Sequence, residues 1–389
     1  MKRFCKSLVS LLLMLSLLCC ALPVLATDAV SANVADIQKY GNLVLSIKAS
    51  DLLNAGYAYG DIITVTINGQ AYDMPIGTNY SDVDNGNLVC RAVANEAAGE
   101  DYVILAINMG DLATTANIAT KTKIDDEPGY RWDYNEGIAA PVSVAITLKE
   151  AGGYYAEFLL HQLSRTNERA DYAHLTDEEF ANFRAVSTTG MGENMLFRSS
   201  SPINPELARN AYADAALKTA GIKTVINLAD AASTMATYEG FTGTAYADCN
   251  IIALNLGVDV TTPDFQSGLA DGLRFLIKNE GPYLVHCTEG KDRAGFVSAL
   301  LECLMGATIA EISEDYMTTY VNYYGLEKGD DQYNAVLNSN IIKTLSAVFD
   351  KDVTEEGVDL SAEAREYLVD ALGLNPEEIQ ILCEKLAAN

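Results

Sequence analysis

Basic residues are in short supply in this chain: 26 Lys and Arg stand against 53 Asp and Glu, a formal net charge of −27 over 389 residues. A surface that acidic repels nucleic acid and anionic lipid, so no nucleic-acid partner is expected. A phosphorylated substrate is compatible with it, because a phosphate pocket needs only a few focused donors. Histidine is rarer still. His161, His174 and His286 are not spaced as metal ligands and no Cys-x-x-Cys pair occurs, so neither a metal nor another cofactor is expected. Cysteine gives no disulfide framework: three of the eight lie within the first 20 residues, and Cys90, Cys249, Cys287, Cys303 and Cys383 form an odd, scattered set. Long apolar runs are missing beyond Leu8 to Leu18, which is too short to span a bilayer well. With Lys2, Arg3 and Lys6 before it and Val24-Leu25-Ala26 after it, that run reads as a secretory signal peptide over 1–26. Cys19 and Cys20 would suit a lipid anchor, but Leu17-Leu18 lacks the small residues such cleavage wants. A secreted or extracytoplasmic protein without stable membrane insertion is the expectation, and losing the leader's three positive charges takes the net charge from −27 to −30.

What is present divides by texture. Within 27–150, the segments Asn42 to Lys48, Asp61 to Asn68, Tyr102 to Asn108 and Pro141 to Lys149 carry β-branched residues with partial alternation. Asn68-Gly69 marks a tight hairpin turn. The expectation is a small antiparallel barrel or sandwich. In Tyr80-Ser-Asp-Val and Ala106-Ile-Asn-Met-Gly-Asp-Leu-Ala it distantly resembles the β-barrel domain of S-adenosylmethionine hydroxide adenosyltransferases, and no catalytic role follows from so short a match.

Within 151–389, strands at Lys223 to Asn227, Cys249 to Leu256 and Tyr283 to His286 alternate with helices. The helices are expected over Pro205 to Ala220, Pro263 to Asn279, Asp292 to Leu304, Ile309 to Tyr324, Ser361 to Leu372 and Asn375 to Leu386. This predicts an α/β fold with a mainly parallel sheet flanked by helices, like that of cysteine phosphatases, behind the smaller β-rich domain.

The segment that carries chemistry is His286-Cys-Thr-Glu-Gly-Lys-Asp-Arg293. An apolar strand ends at a cysteine, a short loop follows, and an apolar helix opens at the arginine. Backbone N–H groups of such a loop converge on one point and the helix's positive end adds to them, so a tetrahedral oxyanion fits. The same field favours thiolate at Cys287. Arg293 can curl back and grip two phosphoryl oxygens bidentately. Thiolate attack on phosphorus, a phosphocysteine and its hydrolysis follow. Thr288, Glu289, Gly290 and Lys291 are the remaining candidate substrate-binding positions. The plainer reading makes Cys287 a buried strand-end cysteine and Arg293 a surface helix residue.

The loop resembles that of the atypical bacterial tyrosine phosphatases, which reads His-Cys-x-x-Gly-Lys-Asp-Arg-Thr-Gly and whose members often accept phosphoinositides as well as phosphotyrosine. Asn182-Phe-Arg, Leu196-Phe-Arg-Ser-Ser, Thr224-Val-Ile-Asn-Leu and Leu372-Gly-Leu-Asn-Pro-Glu-Glu-Ile extend the likeness. The resemblance implies Cys287 as nucleophile, Arg293 as phosphate ligand, Asp292 as the acid for the leaving group and Lys291 as an extra cation. It also implies a phosphorylated protein, an inositol phosphate or a phosphoinositide as substrate.

Three departures stand out. Ala294 replaces the usual hydroxyl residue, which predicts a less stabilised thiolate and a slower second step. Glu289 puts a carboxylate in an anion loop unless it points outward or pairs with Lys291. Asn227-Leu-Ala-Asp230 lacks an arginine that the family often carries there. Asp264 could be a mobile-loop acid, though Thr262-Pro263-Asp264 reads as a helix start. His286 is read as orienting the loop, and Arg198 as either bracing it or pairing on the surface. A rhodanese-like sulfurtransferase and a non-catalytic phospho-ligand module are the alternatives from other classes.

Overall fold

The computed structural model describes residues 28–388, and the expected signal peptide over 1–26 lies outside them. The chain divides into two compact units, one ending at Gln162 and the other starting at Leu163.

The first unit is a closed barrel. Its strands are β1 (Val30–Ile37), β2 (Leu43–Leu45), β3 (Ile62–Ile67), β4 (Gln70–Gly77), β5 (Leu88–Asn95), β6 (Glu100–Ile107) and β9 (Ser143–Glu150), in the order β1-β2-β6-β5-β4-β3-β9. A separate pair, β7 (Ala119–Lys123) with β8 (Tyr130–Tyr134), falls between β6 and β9 in sequence. Alternation explains β3, where Ile63, Val65 and Ile67 face the core and the threonines between them do not. The turn after β3 uses Asn68 and Gly69, both at positive φ, which a two-residue hairpin of this hand requires. One pairing departs from the antiparallel expectation: β4 and β5 run parallel, Ile76 opposite Cys90. Their connection contains a 3-10 turn, Tyr80–Asp82, and is no tight hairpin, so β5 can start again in the same direction. Beyond β9 the short helix Tyr155–His161 still belongs to this unit, with Phe158 stacked on Tyr59 at 5.8 Å between ring centres.

The second unit has an α/β fold. Its sheet holds β10 (Arg184–Ala185), β11 (Leu196–Ser199), β12 (Thr224–Asn227), β13 (Asn250–Ala253) and β14 (Tyr283–His286), in the order β10-β11-β14-β12-β13. The pairs β11/β14, β14/β12 and β12/β13 are parallel and β10/β11 is antiparallel. Every residue of β14 is buried, as befits a central strand covered on both faces. Ser199 and Asn227 lie opposite His286 in the register, so three strands end side by side and the loop after His286 opens at their carboxyl edge. That edge is where open α/β sheets leave a crevice.

The helix after that loop, Asp292–Met305, is buried on every side from Ala294 to Leu304, and over that span it is apolar apart from Ser298 and Glu302. It packs against the helices Leu360–Asp370 and Ile341–Phe349. The helices depart from the sequence expectation at Pro205 and beyond Tyr324. The helix expected from Pro205 is interrupted at Ala208 (φ 53°), leaving a 3-10 turn and then Asn210–Ala220. Asp331–Ser339 and Ile341–Phe349 are helices in a stretch to which sequence assigned no element. No helix of the described residues is long and apolar enough to cross a membrane.

Candidate active site

The loop 287–292 is held by its carbonyls. The Cys287 carbonyl accepts from His286 Nδ1 at 3.1 Å, and the Thr288 carbonyl from the Ser201 N–H at 3.0 Å. Tyr323 Oη (2.8 Å) and Asn182 Nδ2 (3.3 Å) donate to the Glu289 carbonyl. Arg198 Nη2 donates to the carbonyls of Gly290 (2.9 Å) and Lys291 (3.2 Å). A planar trans peptide points its N–H away from its C=O, so pinning five successive carbonyls outward turns the N–H groups of residues 288 to 292 inward. One of them is seen at work: the Gly290 N–H donates to Cys287 Sγ at 3.2 Å.

Gly290 is needed for this. Its φ is +70°, and a Cβ there would sit 2.1 Å from the Ser199 carbonyl oxygen. The helix Asp292–Met305 begins without a side-chain cap, whereas Thr262, Thr308 and Asn375 cap the helices Pro263–Lys278, Ile309–Tyr324 and Pro376–Leu386. Its free first-turn N–H groups and dipole face the loop, a ready anion site.

Behind the loop lies a buried charge cluster. Arg198 is fully inaccessible; its Nη1 meets Asp315 Oδ2 at 2.6 Å while Arg184 Nε meets Asp315 Oδ1 at 2.8 Å. Burial would raise the Asp315 carboxyl, but the two guanidiniums outweigh it and hold it below the usual carboxylate range. Arg198 therefore braces the loop from within the core, which settles its two sequence readings in favour of bracing.

His286 is equally buried, and burial lowers it to about 4. Since a carbonyl only accepts, Nδ1 carries the proton, and Nε2 accepts from Tyr246 Oη at 2.9 Å. Asn227 Nδ2 in turn donates to Tyr246 Oη at 3.1 Å and to Asp230 Oδ2 at 3.0 Å. A neutral His286 fixes the Cys287 peptide without adding charge beside the sulfur.

The polar side chains then close the front. Arg293 reaches the Leu256 carbonyl through Nη1 at 2.8 Å and Thr288 Oγ1 through Nη2 at 3.4 Å, so its fork is fixed beside the loop before any substrate arrives. Glu289 pairs with Lys291 at 2.9 Å and with Arg165 at 2.6 Å. Burial opposes its charge, yet the two cations win and its carboxyl stays below the ordinary value. Asp292 is 54% exposed at the rim. Crowding by protein atoms pushes its carboxyl up and Glu289 adds to this, while Lys291 at 3.8 Å and Arg293 pull the other way. Solvent at the rim limits the size of that rise.

Asp292 also lines a cleft of about 540 Å³ with Val258, Asp259, Phe296, Tyr316 and the helix Ile341–Phe349, whose Lys343 and Thr344 face it together with Ile341 and Ala347. Asp264 sits in the first turn of Pro263–Lys278, behind the Thr262 cap, and Asp259 accepts from Thr261 N (3.0 Å) and Thr261 Oγ1 (2.6 Å). Among the described residues no group of three or more His, Cys, Asp or Glu is placed to hold a metal, and the five cysteines are unpaired.

Sequence reading collected Cys287 to Arg293 because they are contiguous. It missed Asp315, Arg165, Tyr246 and the Leu256 carbonyl as parts of the site. None carries a local signal, since each reaches the loop from a distant segment.

Fold and site together define a cysteine-based phosphatase. Residues 178–388, more than half of the chain, match the tyrosine phosphatase family, and the chain belongs to that family. Residues 32–125 match the SAM hydroxide adenosyltransferase C-terminal domain. No curated protein matches the chain. Among solved structures, an uncharacterized conserved protein from Thermotoga maritima is 16% identical over 31% of this chain and 36% of its own, with a TM-score of 0.23. The chain thus spans little more than a third of that protein. The core catalytic domain of the PP-IP phosphatase SIW14 from S. cerevisiae, in complex with citrate, is 18% identical over 43% of this chain and 91% of its own, TM-score 0.27. A second structure of the Siw14 catalytic core gives 16% identity, 43% and 90% coverage and a TM-score of 0.26.

Proposed function

We propose that this phosphatase hydrolyses phosphate monoesters through a phosphocysteine, with phosphotyrosine in proteins as its best substrate. The carrying observation is the outward pinning of five successive loop carbonyls, which leaves the N–H groups aimed at one point beside Cys287 Sγ. The phosphoryl group docks on those N–H groups and on Arg293. Cys287 Sγ attacks phosphorus, the P–O bond to the leaving group breaks, and Asp292 passes its proton to the departing oxygen. Water then attacks phosphorus and gives a proton back to the Asp292 carboxylate, the S–P bond breaks to release the Cys287 thiolate, and inorganic phosphate leaves. The raised Asp292 carboxyl supports the acid role. The Phe296 and Tyr316 rings in the cleft beside Asp292 favour an aromatic leaving group. With Lys291 and Arg165 already neutralised by Glu289, an inositol phosphate or phosphoinositide is the second reading.

We also read residues 1–26 as an export signal, the β-rich unit as a separate domain and the unit from Leu163 as the phosphatase domain, acting outside the cytoplasm. Cys287→Ser tests the chemistry: turnover of 4-nitrophenyl phosphate should vanish while phosphate binding persists. Full activity in that variant would refute it, and binding without hydrolysis by the natural chain would favour a non-catalytic module.

A further inference from the structure

Glu289 is an odd occupant of an anion loop, and its partners explain what it does there. Its two carboxylate oxygens reach different cations, Oε1 to Arg165 Nη2 at 2.6 Å and Oε2 to Lys291 Nζ at 2.9 Å. That is how a phosphate would bridge them. Both cations are held in place independently of Glu289. The Arg165 guanidinium lies over the Tyr323 ring at 4.9 Å and donates to Asn167 Oδ1 at 3.1 Å. Lys291 donates to Tyr324 Oη at 3.3 Å and lies 5.7 and 5.8 Å from the Tyr324 and Tyr320 rings. All three charged side chains are partly exposed, at 17% for Arg165, 26% for Glu289 and 17% for Lys291, although Glu289 Oε2 itself is buried.

We propose that Arg165 and Lys291 form a second anion subsite beside the phosphate loop, and that the Glu289 carboxylate fills it, confining the enzyme to substrates with a single phosphate. The assignment rests on the phosphate reading of the loop and deepens it into a statement of specificity. A tethered carboxylate competes at high effective concentration, so a second phosphate must displace it and forfeit two ion pairs to enter. Removing the carboxylate leaves two fixed cations facing the space it filled, Lys291 keeping only the longer 3.8 Å pair with Asp292. A ligand with several phosphates can then use both, while a monophosphate gains little because the loop already satisfies it.

The test is equilibrium binding to the full chain carrying Cys287→Ser, so that turnover plays no part, with phenyl phosphate and inositol hexakisphosphate as probes. Adding Glu289→Gln should raise the affinity for inositol hexakisphosphate relative to phenyl phosphate by about tenfold or more, the worth of one charge-assisted hydrogen bond. Arg165→Gln on top should cancel the gain. Glu377→Gln, which alters net charge equally at an exposed site on the last helix, should leave the ratio alone. An unmoved ratio in Glu289→Gln with phenyl phosphate still bound, or an equal gain in Glu377→Gln, overturns the assignment. Glu289→Asp keeps the charge but is too short to bridge both cations, and it should give a smaller rise in the same direction. If the amide variant does not fold, no rise in Glu289→Asp overturns the assignment instead. Failure of the parent chain to bind phenyl phosphate would overturn the phosphate reading itself, and this assignment with it.

Discussion

Arg198→Met is the sharpest perturbation of the site that touches no expected substrate contact. The guanidinium makes an ion pair to Asp315 at 2.6 Å and donates to two loop carbonyls at 2.9 and 3.2 Å. Asp315 keeps Arg184 and is not orphaned, but the Lys291 carbonyl loses its donor and the Gly290 carbonyl keeps only Asn182 at 3.4 Å. With Asp315 still paired, the main cost is a buried carbonyl left without its donor, about 1–3 kcal/mol. For a unit of this size that lowers the Tm by roughly 2–12 °C. The catalytic cost is separate, because carbonyls freed from Arg198 can turn and take the adjoining N–H groups of Lys291 and Asp292 out of the anion site. Losing one oriented donor typically costs about 10²–10³ in kcat. Thermal melts give the first number. Steady-state hydrolysis of 4-nitrophenyl phosphate well below the variant's Tm gives the second, with inorganic phosphate inhibition to show whether the loop still binds. A native Tm would refute the energetic argument. A large Tm loss with unchanged kcat and phosphate affinity would show that Arg198 stabilises the core without shaping the loop.

Two further predictions probe the protons. Asp292→Asn should slow phenyl phosphate far more than 4-nitrophenyl phosphate, whose leaving group needs little help. It should also remove the limb on which activity falls as pH rises through the raised Asp292 value; equal losses on both esters would move the acid elsewhere. His286 titrates near 4 in the fold against 6.5 ordinarily, so the unfolded chain takes up its proton first. Its contribution is complete above pH 6.5 and is lost as pH falls toward 4, up to about 3 kcal/mol. His286→Asn, which can still donate to the Cys287 carbonyl, should flatten the fall in Tm between pH 7 and 4.5, and parallel slopes would count against a neutral His286.

The reactive segment was legible in the sequence because its parts are consecutive. A strand, a cysteine, a glycine and an arginine at fixed spacing can serve one anion through local geometry alone. The capped helices were legible for the same reason, and Ile309–Tyr324 has the bounds its Thr308 cap and Gly325 stop imply. Barrel strands such as β3 announced themselves by alternation. The parallel step from β4 to β5 did not, since pairing direction depends on where the connection travels and not on the strand's own residues. Ala294, at a position where the resembled loop carries a hydroxyl, is visible in sequence, but the Gly290 N–H that donates to the sulfur becomes visible only once the loop is closed. Glu289 looked like a misplaced charge until the fold brought Arg165 to it from 124 positions away. The order of residues thus determined which groups could react. The folded chain decided which way the loop's peptides face and which charges cancel, because both depend on donors and counter-ions supplied by segments far apart in sequence.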